Sequence, residues 1–310
     1  MAFFSVVIPI FNKANFIAQT LQSVISQKFS DFEIILVNDG STDNSLEVIN
    51  QFEDERIKIF SQENQGASSA RNLGVKYANA EWIALLDADD YWYSNHLEEL
   101  YNCILKFSVA DVVSNAYEVQ LSDNYIKSIN YSREIPKEAF IVEDYFSYSF
   151  KDQLFWTSTL AFKKQCFHEL GGFDINLKTG QDLDLIIRFA INFNLCYNPK
   201  VTLKYKRYTE NNLSIDINLE EKKKYIDKSK AWENDNPSLK KYLDINRYSL
   251  ALQAKMNHSE SLYKLAFSEI DKTNLSSKQI LLIHFPGYLL NLLKRFQWLL
   301  INAGIYKSAF

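Results

Sequence analysis

Three carboxylates fall within four residues in Asp87-Ala88-Asp89-Asp90, directly after the apolar run Trp82-Ile83-Ala84-Leu85-Leu86. Acids so crowded repel one another unless a positive group joins them, and a hard divalent cation with oxygen ligands is the usual partner. A solvated acidic turn has the same composition, so the motif alone leaves both readings open. Another acid, Asp39, stands in Asn38-Asp39-Gly40-Ser41-Thr42-Asp43 after a second apolar run. It could accept a hydrogen bond from the edge of a base, or it could close an Asx-turn. The first such turn, Pro9-Ile10-Phe11-Asn12-Lys13, contains no glycine, and no G-x-x-x-x-G-K-[ST] loop occurs. A glycine-rich backbone cradle for phosphates is therefore missing. A bound diphosphate would need its charge met otherwise, for which a metal held by Asp87 and Asp89 would serve.

These acids require strands that end where they stand. Residues 3–10, 32–37, 57–60 and 82–86 are apolar and rich in β-branched side chains, and each reads as a strand. Between them, residues 15–26, 45–52 and 66–78 carry helical spacing. The alternation predicts an α/β fold, a Rossmann-like, mostly parallel central sheet with helices on both faces. Open sheets of this kind bind ligands beyond the carboxyl ends of their strands, where Asp39 and Asp87 fall. Further along, a helix is expected over 95–107, a strand over 111–119, a turn at 171–174, a helix over 181–192 and a strand over 202–208. The aromatic stretch 140–162 suits core or lid packing better than a sugar platform. After about residue 214 charged helical pieces such as 220–230 lead to an apolar segment, 280–305. Residues 1–214 thus read as one domain and 215–310 as a helical C-terminal extension.

A net charge of −4 gives no electrostatic footprint for nucleic acid. Three separated cysteines form neither a disulfide framework nor a zinc pattern, which fits a reducing, cytoplasmic setting. The first residues enter a strand with no basic, apolar and cleavage regions, so no signal peptide is expected. No apolar run is long enough to span a bilayer. Residues 280–293 are apolar except for His284 and Asn291, and Pro286-Gly287 should break any helix there. With Lys294-Arg295, the segment could lie at a membrane surface at the inner face of the plasma membrane. It could equally pack on the domain or on another subunit.

Four ordered blocks make a more specific match. They are Val6-Val7-Ile8-Pro9-Ile10-Phe11-Asn12, Ile34-Ile35-Leu36-Val37-Asn38-Asp39-Gly40-Ser41-Thr42-Asp43, Asn64-Gln65-Gly66-Ala67-Ser68-Ser69-Ala70-Arg71-Asn72 and Leu85-Leu86-Asp87-Ala88-Asp89-Asp90. Together they resemble family 2 glycosyltransferases of the GT-A fold, over residues 3–214. The resemblance implies a nucleotide-sugar donor, typically UDP-linked, Mn²⁺ or Mg²⁺, and inversion at the anomeric carbon. The implied acceptor is a glycan or lipid-linked saccharide, in cell-surface polysaccharide or glycoconjugate synthesis. It further implies that Pro9 and Phe11 lie against the nucleotide, that Asp39 contacts the base and that Arg71 reaches the base or phosphates. Asp87 would hold ribose or help hold the metal, and Asp89 would be the main metal ligand. Asp90 could simply cap the next turn.

Direct displacement needs a carboxylate to deprotonate the acceptor hydroxyl. In Gly180-Gln181-Asp182-Leu183-Asp184-Leu185-Ile186-Ile187-Arg188, Asp184 and Arg188 are four apart and can pair, whereas Asp182 lies on a different face. Asp182 could cap the helix. The family pattern Gly-Glu-Asp places the base on Asp182. Two departures stand out. Gln181 replaces the family's Glu, and Thr209 stands where many relatives carry a His, leaving water or Glu210 as substitutes near a metal. They keep a second reading open, a nucleotide-sugar-binding protein that has lost transfer. A phosphotransferase with an aspartyl nucleophile in Asp87-Ala88-Asp89-Asp90 is a third.

Overall fold

The computed structural model describes residues 1–122, 125–206 and 218–302. The first half alternates as β1 (Phe4–Ile10), α1 (Ala14–Ile25), β2 (Phe32–Asp39), α2 (Ser45–Ile49), β3 (Ile57–Gln62), α3 (Ala67–Tyr77) and β4 (Trp82–Leu85). Every residue of β2 and β4 is buried, as a strand covered by helices on both faces must be. Next come β5 (Tyr91–Trp92), α4 (His96–Lys106), β6 (Val112–Ser122), β7 (Tyr125–Ser128) and β8 (Phe140–Val142). They are followed by α5 (Tyr145–Tyr148), β9 (Leu160–Lys163), α6 (Lys164–Glu169), α7 (Gln181–Asn192) and β10 (Leu195–Lys206). The C-terminal helices are α8 (Leu219–Ser229), α9 (Pro237–Met256), α10 (Glu260–Ser268), α11 (Ser277–Ile283) and α12 (Gly287–Asn302).

The sheet runs β3-β2-β1-β4-β9-β6-β10-β5, with β7 on β6 and β8 on β10. Strands β1, β2, β3 and β4 are mutually parallel. Strand β9 is antiparallel to both β4 and β6, so β6, and β10 parallel to it, point the same way as β4. Chain order steps outward from β1 through β2 and β3, then restarts on the other side of β1 with β4. That is a topological switch point, and open α/β sheets bind ligands beyond the carboxyl ends of the strands at such a point, here β1 and β4.

Alternate residues of β1 face opposite layers: Val7 joins a core with Ile35, Leu85, Phe162 and Phe189, while Val6 and Ile8 join one with Leu21, Val24 and Leu97. The first core continues without a break into Tyr225 of α8 and Leu239 and Tyr242 of α9. The rings of Tyr145, Phe146 and Phe155 are buried against Tyr197 and Tyr242, as core packing rather than a platform. All three cysteines are free and buried.

Helix α7 has the expected bounds. Strand β10 begins earlier than expected because its register against β6 shifts between Asn198 and Val201 and again before Leu203, which breaks the alternation that marks a strand. Strand β9 and helix α6 were not expected. Leu160-Ala161-Phe162 is buried throughout, so it has no alternation to read.

One polar group ties the parallel strands. Glu33 on β2 accepts from Ser5 Oγ at 2.6 Å, Lys58 Nζ at 2.7 Å and the Asn79 N–H at 2.6 Å. Burial alone would push its carboxyl up, but these donors hold it at about 2, against 4.5 for an ordinary glutamate. A depressed value contributes stability above the unfolded value, lost as pH falls towards 2. Glu33→Gln is expected to lower unfolding stability by about 2 kcal/mol in urea titrations at neutral pH, with the difference shrinking at acid pH.

Candidate active site

The turn after β1 is built to hold its side chains still. Asn12 adopts φ 51°, which asparagine tolerates better than most residues, and its Oδ1 accepts from the Thr42 N–H at 2.8 Å. The Asn12 N–H donates to Ser41 Oγ at 3.1 Å and the Lys13 N–H to Ser45 Oγ at 2.8 Å. The loops after β1 and β2 are thereby locked together. From this turn Phe11 projects, partly exposed, and Lys13 Nζ pairs with Asp89 Oδ2 at 2.7 Å.

Asp39 is buried at the end of β2 and accepts from Gln62 Nε2 at 2.7 Å, the Gln65 N–H at 2.9 Å and the Gly66 N–H at 2.8 Å. Gly66 has φ 89°, a conformation that favours glycine and lets its N–H turn back to Asp39 ahead of α3. A carboxylate has about four lone-pair sites, so Asp39 retains one. Asn38, not Asp39, closes the loop after β2: its Oδ1 accepts from the Ser41 N–H, three residues on, at 3.0 Å.

Arg71 on α3 is buried, unlike most arginines early in a helix. Its Nη2 meets Asp87 Oδ1 at 2.5 Å, and its guanidinium lies 5.3 Å from the centre of the Phe173 ring. Nε and Nη1 have no hydrogen-bond partner among the described residues. The next residue, Asn72, clips the turn that precedes α7: Nδ2 donates to the Phe173 carbonyl and Oδ1 accepts from the Phe173 N–H, both at 2.9 Å. That pair fastens α3 to the segment that leads into α7.

The acidic loop divides by environment. Asp90 is fully buried, accepts from Ser158 Oγ at 2.6 Å, and is pushed well above the ordinary carboxylate range by burial, then by Asp89 and Asp87. Ser158 Oγ also accepts from the Asp87 N–H at 3.0 Å, and Thr20 Oγ1 donates to the carbonyls of Ala88 and Asp90. Asp90 is thus an anchor, and the two remaining acids, Asp87 and Asp89, stay partly exposed. Among the described residues no cluster of three or more His, Cys, Asp or Glu forms a cage for a metal. Two partly exposed carboxylates are the oxygen donors that suit Mg²⁺ or Mn²⁺, which are commonly bound through one or two acids. The positions of Thr209 and Glu210 lie outside the described residues.

Asp182 sits in the first turn of α7. Burial raises its carboxyl above the ordinary 3.8, nearby Asp87 pushes the same way, and Arg71 and the Leu183 N–H oppose. Asp182 therefore shares a field with the Arg71–Asp87 pair. Tyr145, Tyr225 and Tyr242 surround it from α5, α8 and α9, their hydroxyls pushed up by burial and also by the Asp182 charge. Asp184 turns away and pairs with Arg188 through Nη2 at 2.5 Å and Nε at 2.9 Å, the structural part its spacing suggests. Gln181, next to Asp182 in the chain, is buried, and its Oε1 has no partner among the described residues.

Pro9, Phe11, Asp39, Arg71, Asp87 and Asp89 all lie on or beyond the carboxyl ends of β1, β2 and β4 or at the start of α3. Sequence reasoning missed Lys13, Thr20 and Ser158. Lys13 had a usable signal, being the cation in a turn that must face the acids. Thr20 and Ser158 act across more than 60 residues, and nothing local marks them.

The model for "Glycosyl transferase family 2" matches residues 5–168, more than half of the chain. The glycosyltransferase GlyG of Streptococcus pneumoniae is 38% identical over 122 residues, covering 38% of this chain and 40% of its own length. An uncharacterised glycosyltransferase of Rickettsia typhi is 30% identical over 217 residues, 69% of this chain and 67% of that protein. Among the first relatives compared, the chain matches 40%, 14% and 55% of their lengths, less than two thirds in each case. In fold, Staphylococcus aureus TarS, solved with UDP-GlcNAc, superposes with a TM-score of 0.67 at 17% identity, over 99% of this chain and 93% of that one. A mannosyltransferase from Pyrobaculum calidifontis, solved with GDP-Man and Mn²⁺, gives 0.57 at 16% identity, over 96% and 80%. With its switch-point strand order and these matches, the chain belongs to glycosyl transferase family 2 and has the GT-A type of fold.

Proposed function

We propose that this glycosyltransferase moves a sugar, with inversion, from a UDP-sugar to a hydroxyl of a glycan or lipid-linked acceptor in cell-surface polysaccharide or glycoconjugate synthesis. The observation that carries the reading is Asp182, a carboxylate of raised proton affinity within the field of the Arg71–Asp87 pair. Pro9 and Phe11 lie against the nucleotide, and the spare lone pair of Asp39 accepts from the base. Arg71 offers Nε and Nη1 to the base or the phosphates, and Asp87 holds ribose. Bound Mn²⁺ or Mg²⁺, held by Asp89 with Asp87, supplies positive charge against the diphosphate. Lys13, paired with Asp89 Oδ2, brings an ammonium to the same acids and would add its charge against a donor phosphate. Asp182 takes the proton of the acceptor hydroxyl, and burial keeps it basic enough to do so.

Residues 1–214 carry donor binding and catalysis, and 215–310 form the extension that backs the base through Tyr225 and Tyr242. The enzyme works at the inner face of the plasma membrane. UDP is preferred as the donor nucleotide because the fold neighbour of higher TM-score was solved with UDP-GlcNAc. Thermal-shift measurements with a panel of UDP- and GDP-sugars plus Mn²⁺ test this. A UDP-sugar at about 100 times its Kd should stabilise the protein by roughly 2.7 kcal/mol, whereas a flat response to every UDP-sugar contradicts the proposal. Gln181 and Thr209, where the family carries Glu and often His, motivate one alternative, a binding protein without transfer. Donor binding with neither transfer nor donor hydrolysis would support it.

A further inference from the structure

Helix α12 is fixed to the molecule along one side only. Leu290 is buried, Leu293 packs on the core, and Asn291 Nδ2 donates to the Met256 carbonyl at 3.2 Å. At its start Gly287 sits so close to α9 that a Cβ there would fall 2.3 Å from the Lys255 carbonyl oxygen. Lys255 Nζ in turn donates to the Ile283 and Phe285 carbonyls at 2.6 and 3.2 Å, closing the end of α11. Rigid seating leaves the opposite side of α12 outward. Tyr288, Leu292, Phe296 and Leu299 are between 59% and 73% exposed, and their spacing of four, four and three residues puts them on one face. Exposed Leu281 of α11 adds to the apolar surface.

Charge says what this face meets. The chain as a whole is at −4, yet from Lys272 onward it contains Lys272, Lys278, Lys294, Arg295 and Lys307 and no acidic residue. Exposed Lys294 and Arg295 sit at mid-helix; by helical spacing Arg295 borders the apolar face, and Lys294 lies round towards the seated side. A second copy paired through the middle of this face about a twofold axis would bring two Arg295 side chains to the border of one apolar contact, where like charges repel. An anionic bilayer surface instead accepts apolar side chains between its headgroups and pairs its phosphates with the flanking cations. No helix among the described residues is long and apolar enough to cross a membrane.

We propose that α12 lies in the plane of an anionic membrane, with Tyr288, Leu292, Phe296 and Leu299 inserted, Arg295 at the headgroups and Lys294 adding positive charge behind it. It deepens the reading that the extension touches a membrane and does not depend on the transfer chemistry. Co-sedimentation of the full chain with vesicles of phosphatidylcholine, alone or mixed with phosphatidylglycerol, tests it. Binding should require phosphatidylglycerol and weaken as salt is raised. Leu292→Glu with Phe296→Glu should abolish it, and Lys294→Glu with Arg295→Glu should weaken it about tenfold or more. Both double variants change exposed side chains, so UDP binding and thermal unfolding should match wild type. No vesicle binding by the wild type overturns the proposal, as does binding that both variants retain. So does light scattering that shows a wild-type dimer converted to monomer by Leu292→Glu with Phe296→Glu and no vesicle binding in either form. Failure here with UDP binding intact leaves the donor site untouched.

Discussion

Asp182→Asn is expected to slow sugar transfer by about 10²–10⁴-fold in single-turnover assays while leaving UDP affinity within a few fold of wild type. The amide fills the same space but cannot take a proton from the acceptor hydroxyl, and no donor-binding group is altered. The same substitution should raise stability at neutral pH. Burial and Asp87 raise the native carboxyl above 3.8, so ionising it costs more folded than unfolded. For a raised group, stability is fully present below the unfolded value and is lost as pH rises through the folded one. Removing the charge recovers that loss near neutrality, and the gain vanishes below 3.8, where both states are protonated. Thermal unfolding against pH should therefore show a higher Tm for Asp182→Asn at pH 7 and none at pH 3. Full turnover by the variant would move the base elsewhere, and a lower Tm at pH 7 would contradict the strain assigned to Asp182.

Asp89→Ala should cost about 10²-fold in UDP affinity measured with Mn²⁺, roughly 2.7 kcal/mol, and little when the metal is chelated. The charge at this position has a competitor in Lys13, so Lys13→Met should act in the opposite direction on the ion alone. With Lys13 gone, Asp89 meets Mn²⁺ without first giving up an ion pair, and Mn²⁺ affinity without nucleotide should rise. Electron paramagnetic resonance titration of free Mn²⁺ reads both effects without relying on turnover. Equal Mn²⁺ affinity in wild type, Asp89→Ala and Lys13→Met would remove Asp89 from the site.

Much of the donor half was legible because its signals are local. Each apolar run of β1, β2 and β4 is buried on both sides, and each ends abruptly in the residues now found around the switch point. Asp184 with Arg188 was readable for the same reason, a four-residue spacing on one helix. Arg71 stood out as a candidate only through the family resemblance, since its burial against Phe173 depends on a contact 102 residues away in the chain. The division of labour within Asp87-Ala88-Asp89-Asp90 was hidden likewise: Ser158 and Thr20 bury Asp90 and leave its neighbours open. Strand β10 was half-read because a register shift erased its alternation. The C-terminal extension was visible as helical and as broken at Pro286-Gly287, but the merging of α8 and α9 into the core beneath α7 involves packing that periodicity does not encode.

The central claim is that Asp87 and Asp89 at the switch point hold a cation that meets the nucleotide's diphosphate. Calorimetric titration of UDP into the wild-type protein, with Mn²⁺ and then with excess chelator, tests it most directly. The account predicts tight binding with the metal, at least tenfold weaker binding without it, and loss of that difference when both acids are alanine. Metal-independent UDP affinity in the wild type, or a metal effect that survives the double substitution, would contradict it.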